Sequence, residues 1–210
     1  MANLTGPAFT MPTRSFPVNQ AGAGFGIGGE LVVSELTGKY SHLVKQQKVF
    51  FTSAIITAPV IFSTAAQLGP MIWNKGGSAV DAHILAVCVG APTTATSVQG
   101  AFGLSSNQQP AAPTTATAIT AWNAYSGGVG TQMGAVNSTA TVVIVPTPIF
   151  LPLTWANSAA VTVASVGGSG FVDVGGLMII PPGNVGYVTV SATLTSGVYT
   201  LGLVWAELPA

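Results

Sequence analysis

Any chemistry in this chain starts from Asp81 and His83, which stand two apart in the run Val80-Asp81-Ala82-His83-Ile84. In a β-strand that spacing puts both side chains on one face, where a carboxylate can orient an imidazole base or begin a metal site. Either use needs a third group, and beyond Glu35 the only other acids are Asp173 and Glu207. The plainer role is a hydrogen-bonded pair at a strand end or a subunit contact. His42 lies near Lys39 and Lys45, where a solvated or interfacial role is the default. Gly24-Phe25-Gly26-Ile27-Gly28-Gly29 has the form G-x-G-x-x-G. A dinucleotide site would need a strand before it and a helix after it. A proline-rich stretch precedes it and the strand-like Leu31-Val32-Val33 follows, so it is not expected to hold a nucleotide.

Other reactive patterns do not occur: there is no G-x-S-x-G elbow, no H-E-x-x-H and no C-x-x-C. Five basic and five acidic residues in 210 leave little means of tuning pKa values for acid–base work. An enzyme is not expected, and no catalytic, cofactor-binding or metal-binding residue is assigned. Cys88, the single cysteine, lies in Ile84-Leu85-Ala86-Val87-Cys88-Val89 and reads as a buried structural thiol. Trp73, Trp122, Trp155 and Trp205 are widely spaced among apolar neighbours and read as core or interface aromatics. Asn3-Leu4-Thr5 and Asn137-Ser138-Thr139 match the glycosylation sequon, which carries weight only in an exported chain.

The elements that would position these residues read as all-β, a sandwich or jelly roll with an extended N-terminal arm. Residues 1–29 form the arm, with Pro7, Pro12 and Pro17 followed by Gly22, Gly24, Gly26, Gly28 and Gly29. Residues 30–52 form a charged connecting segment: a strand ending at Gly38, then a short helix or a further strand. Residues 53–210 form the β body, in which Val, Ile, Thr and aromatic runs alternate with Gly, Pro and Asn. Pro181-Pro182-Gly183-Asn184 reads as a turn. Val188, Val190, Ala192 and Leu194 then alternate with Tyr187, Thr189, Ser191 and Thr193, one face buried and one wetted. Thr195-Ser196-Gly197 reads as a hairpin loop, with Val198 to Glu207 returning beside that strand. Ala91-Pro92-Thr93-Thr94-Ala95-Thr96 is echoed by Ala112-Pro113-Thr114-Thr115-Ala116-Thr117, two Thr-rich strand starts and not a solenoid.

Composition narrows the partners. Charged residues make up 5% of the chain, against roughly 25% in an ordinary soluble domain. The formal net charge is zero, so no self-repulsion opposes association. Hydroxyl and amide side chains must carry the surface, or neighbouring subunits must cover it. Six of the ten charges precede position 49 (Arg14, Glu30, Glu35, Lys39, Lys45 and Lys48), and there is no basic footprint for nucleic acid. Mean hydropathy is +0.60, yet Pro146, Pro148 and Pro152 break the strongest apolar stretch, so no spanning helix and no membrane partner are expected. Met1-Ala2-Asn3-Leu4-Thr5-Gly6-Pro7 has neither a positive start nor an apolar signal core, so export by a standard signal is not expected.

Glu30-Leu31-Val32-Val33-Ser34-Glu35-Leu36-Thr37-Gly38-Lys39-Tyr40, leading to Gln47-Lys48-Val49-Phe50-Phe51, resembles the opening of small structural proteins of tailed bacteriophages. Ile179-Ile180-Pro181-Pro182-Gly183, with Val204-Trp205-Ala206-Glu207-Leu208-Pro209, resembles their close. The resemblance implies a virion protein, a capsid decoration or cement protein on the shell surface, and no active site. The expected partners are further copies, as a trimer or dimer, and the major capsid protein or another virion protein. The assembly contacts expected are Phe9, Phe16, Phe25, Glu35, Lys39, Tyr40, Lys45 and Lys48, from the arm and the connecting segment. Two alternatives stand beside it: a neck, tail or receptor-binding component presenting Trp122 and Tyr125 at loop tips, and a donor-strand filament subunit.

Overall fold

The computed structural model describes residues 24–25, 31–32, 40–90, 98–158, 170–192 and 198–210. The chain divides into two compact units, Met1–His42 and Leu43–Ala210. Within the first, β1 (Gly24–Phe25) pairs antiparallel with β2 (Leu31–Val32), Gly24 opposite Val32. The rest of the proposed arm, with Phe9 and Phe16, and also Glu35 and Lys39, lies outside the described residues. A short helix, α1 (Ser41–Lys45), follows, the helical option for this stretch.

The second unit is built of strands β3 (Val49–Thr57), β4 (Ala66–Asn74), β5 (Val80–Gly90), β6 (Val98–Gln108), β7 (Thr114–Ala118), β8 (Trp122–Asn123), β9 (Ala135–Thr141), β10 (Ile149–Ser158), β11 (Gly170–Ile180), β12 (Asn184–Val190) and β13 (Val198–Pro209). Its first strand opens at Val49, so Val49–Thr52 of the connecting segment belong to the body's sheet. The strands form two antiparallel sheets, β10-β6-β12-β4-β9-β7 and β11-β5-β13-β3-β8. The pairings are nested: β3 with β13, β4 with β12, β5 with β11, and β6 with β10. First pairs with last, second with second-last, and so inward. This is the connectivity of an eight-stranded jelly roll, with β7, β8 and β9 inserted between its fourth and fifth strands.

Alternation along each strand fills the space between the sheets. Phe50, Ala54 and Ile56 of β3 point inward beside Leu201, Leu203 and Trp205 of β13 and Ile84 of β5, facing Ile72, Leu104 and Val188 of the other sheet. Phe50 stacks on Trp205 with ring centroids 5.9 Å apart, and Phe102 of β6 meets Tyr199 of β13 across the interior at 5.4 Å. In β5 the inward set Val80, Ala82, Ile84 is followed by Val87 and Val89, because the ladder to β13 shifts register between Val204 and Trp205. Such a bulge reverses which parity faces the core.

Three sequence expectations change here. Val188 and Val190 are core residues, but Tyr187 and Thr189 on the opposite face are buried as well. Residues 60–64 run over that face: the Tyr187 hydroxyl donates to the Phe62 carbonyl at 3.0 Å and the Thr189 hydroxyl to the Val60 carbonyl at 2.8 Å. Gln67 Nε2 donates to the carbonyls of Ile61, Phe62 and Thr64, and Phe62 stacks on Phe150 of β10 at 4.9 Å. The hydroxyl positions are therefore roofed, not wetted. A side chain at Gly103 would collide with the neighbouring strand β10, its Cβ falling against the Leu151 carbonyl and 2.9 Å from the Phe150 ring on which Phe62 stacks. Next, β12 and β13 are not a hairpin: β12 lies between β4 and β6, β13 between β3 and β5, in different sheets. Finally, Cys88 is not a core thiol. It stands on the outward face of β5, half-buried, with its pKa raised by burial.

Candidate functional site

Asp81 and His83 share the outward face of β5, as their spacing requires, and both are half-buried. Leu208 lies opposite Asp81, and Ala206 and Ile179 flank His83. No hydrogen bond joins the two, and Asp81 Oδ1 is buried without a polar partner, so they are not the hydrogen-bonded pair that the sequence suggested. Asp173 faces Ala86, three residues further along β5 and so roughly 10 Å away along the strand. Between Asp173 and Met178 strand β11 bulges, turning through Gly175 (φ 63°) and Gly176 (φ 83°), where left-handed backbone favours glycine. Among the described residues no three His, Cys, Asp or Glu side chains gather to hold a metal ion. No helix among them is long and apolar enough to cross a membrane.

Of the expected assembly contacts, Tyr40 sits half-buried in the turn before α1 and Lys45 is exposed at the helix end. Lys48 is half-buried just before β3, and its carbonyl accepts the Glu207 amide at 2.8 Å. Phe25 belongs to the β1–β2 ladder of the first unit. Phe25 and Tyr40 belong to the first unit, Lys45 and Lys48 to the second.

A different surface stands out: the outer face of the five-stranded sheet. Its exposed apolar side chains are Phe51 and Ile55 of β3, Trp122 of β8, Phe171, Leu177 and Ile179 of β11, and Val198 of β13. Ile55 is 74% exposed and Phe171 67%, values that a monomer rarely repeats across one face. The ladders set these residues in rows: Trp122, Phe51, Val204, Ala86, Asp173 in one; Ser53, Gly202, Cys88, Phe171 in the next; Ile55, Thr200, Gly90 in a third. None of the five strands contains a lysine or arginine, and Asp81 and Asp173 are the acids on this face. The sequence hides it because β3 and β11 carry large apolar residues at both parities, so alternation does not tell inside from outside.

At one edge of that sheet the segment 122–131 is braced into a fixed shape. Asn123 Nδ2 donates to the carbonyls of Gln47 and Val129 at 2.9 Å each, its Oδ1 accepts the Tyr125 amide, and Gln47 Oε1 accepts the Val129 amide. Trp122 and Tyr125 stand exposed on it. The buried Glu207 carboxylate pins the following stretch, accepting from the Thr131 hydroxyl, the Gln132 amide at 2.8 Å and the Trp205 indole at 3.3 Å. Charge-assisted acceptance from three donors compensates its burial. Comparison with protein-family models, with curated proteins and with solved structures returns no match for this chain.

Proposed function

We propose that the chain is a structural subunit of a tailed-phage particle, a decoration or cement protein on the outer surface of the capsid that works by assembly. The observation that carries this reading is the pairing of a jelly-roll body with an exposed, cation-free apolar sheet face. Jelly rolls recur in viral shell proteins, although the fold alone selects no function. The resemblance of the two chain ends to phage structural proteins points the same way. Apolar area removed from water contributes about 25 cal/mol per Å², so modest contacts repeated over a lattice add to a large resistance to bursting. All eight strands of the roll come from one chain, which does not favour the donor-strand filament.

The test is co-sedimentation of the purified protein with shells that lack it, using the full chain and a variant without residues 1–29. Saturable binding of the full chain, reduced by the truncation, is expected. Failure of the full chain to bind any shell overturns the reading.

One observation favours a second reading, a receptor-binding virion component: Trp122 and Tyr125 stand exposed on a segment fixed by Asn123 and Gln47. Aromatic faces presented this way suit a neutral host glycan. Retention on immobilised host glycans, lost in Trp122→Ala, would support it over shell binding.

A further inference from the structure

The outer face of the five-stranded sheet has a shape as well as an apolar character. Toward its Val198 end the middle strand, β13, shows Val198, Thr200, Gly202 and Val204 outward, with Ala206 and Leu208 beyond, and the outward β5 residues nearest that end are Cys88 and Gly90. On the other side of β13, strand β3 raises Phe51 and Ile55. The face is thus high along β3 and low along β5, with Ile55, Thr200 and Gly90 at one level.

We propose that two copies of this chain pair through these faces, about a two-fold axis running along β13. That rotation lays β3 of each copy over β5 of the other at the same level, so Ile55 is seated over Gly90 and Ser53 over Cys88. High meets low, which is the self-complementarity that a two-fold interface requires. It also keeps the acids apart, because Asp81 and Asp173 both lie on the β5–β11 half and meet the acid-free β3–β8 half of the second copy. Five strands spaced about 4.8 Å, over nine residues of β13, give a footprint of roughly 600 Å² before corrugation. That is the order of the ~800 Å² per partner found in stable interfaces. Facing sheets pack in this aligned manner inside sandwiches. The inference rests on the assembly reading only for the presence of a second copy.

The test uses the full chain. Sedimentation velocity over a concentration series is expected to show a dimer, or a multiple of one. Ile55→Asp should weaken self-association at least tenfold while the β-type circular dichroism is retained. Ala116→Asp, on the exposed strand β7 of the other sheet, should change nothing. Ser53→Cys keeps the face nearly intact and places a thiol opposite Cys88 of the second copy. Within one chain positions 53 and 88 are separated by β13, about 9.6 Å, beyond disulfide reach. Mild oxidation should therefore give a covalent dimer that disappears when Cys88→Ser is added. A full chain that is monomeric at every concentration overturns the inference. So does a dimer insensitive to Ile55→Asp, a dimer abolished by removing residues 1–23 but not by Ile55→Asp, or a dimer that Ser53→Cys does not cross-link. A dimer that passes these tests but never binds shells defeats the shell reading and leaves this one standing.

Discussion

The two sheets of the roll turn opposite kinds of surface outward. The six-stranded sheet contains no charged residue in any of its strands, and over β4, β6 and β12 its outward polar groups are roofed, while the threonines of its edge strand β7 stay exposed. Gln67, Tyr187 and Thr189 hold residues 60–64, while Asn107 Nδ2 donates to the Val143 carbonyl at 2.6 Å and Gln109 Oε1 accepts the Val143 amide at 2.8 Å. Beneath lies a second apolar cluster of Met71, Ala140, Val142, Val185 and Tyr187. The five-stranded sheet leaves Ile55, Phe171 and Leu177 in the open. Over these strands, β7 aside, polarity of the residue types predicts the reverse of the exposure. A buried amide or hydroxyl is tolerated where a crossing strand of backbone supplies the carbonyls it needs. An exposed apolar face persists where something outside the chain is to cover it.

The sharpest way to break this contrast is Gln67→Ala. The buried amide serves three carbonyls, so its loss should destabilise the body by about 2–3 kcal/mol in chemical denaturation and loosen residues 60–64 first. A cost below about 0.5 kcal/mol would mean that the roof is not held from beneath.

A smaller effect is expected from Tyr187→Phe, which removes one of the two side-chain donors to the Phe62 carbonyl and leaves the Gln67 amide as the other, at about 1 kcal/mol. Burial raises the Tyr187 pKa above its ordinary 10.0, countered in part by its hydrogen bond with Ser105, and burial raises Tyr199 as well. The folded state favours the neutral phenol, so this contribution is fully present below pH 10 and is lost as pH climbs through the raised value. Thermal melts across that range should show a midpoint that falls above pH 10, and falls less steeply in Tyr187→Phe. The smallest effect is expected on the open face, where Ile55→Thr should shift the stability of the dilute monomer by less than about 0.5 kcal/mol. A larger loss would show that Ile55 packs within its own chain.

Much of the architecture was legible. Pro181 to Asn184 turns as its residue types demand, with Gly183 at φ 79° and the Asn184 amide reaching the Pro181 carbonyl at 3.2 Å. Leu31–Val32 is a strand, and the sandwich follows from short β runs between turn residues. Sheet membership was not legible. Turn residues between β12 and β13 permit a hairpin, and only the long-range pairs with β3, β4, β5 and β6 decide otherwise. Nor was the roof, because hydroxyls on a β-strand look alike whether water or a distant backbone carbonyl receives them. The expected contacts Tyr40, Lys45 and Lys48 come from the connecting segment, whereas the open face consists of Phe51, Ile55, Phe171 and Ile179 on the body's strands.

The nested pairing also sets a timetable for the nascent chain. Val198–Pro209 lies between Val49–Thr57 and Val80–Gly90, so the middle of one sheet is the last of the roll's eight strands to be made. Until those residues have left the ribosome, β3 and β5 can bond β8 and β11 on their far sides, but the edges they turn toward each other are open to any other chain. Closing the roll then joins segments roughly 150 residues apart, a loop whose entropy must be met before the contacts reward it. Folding of this roll is thus expected to be slow, and most exposed to mispairing in the interval before Val198–Pro209 slots into place.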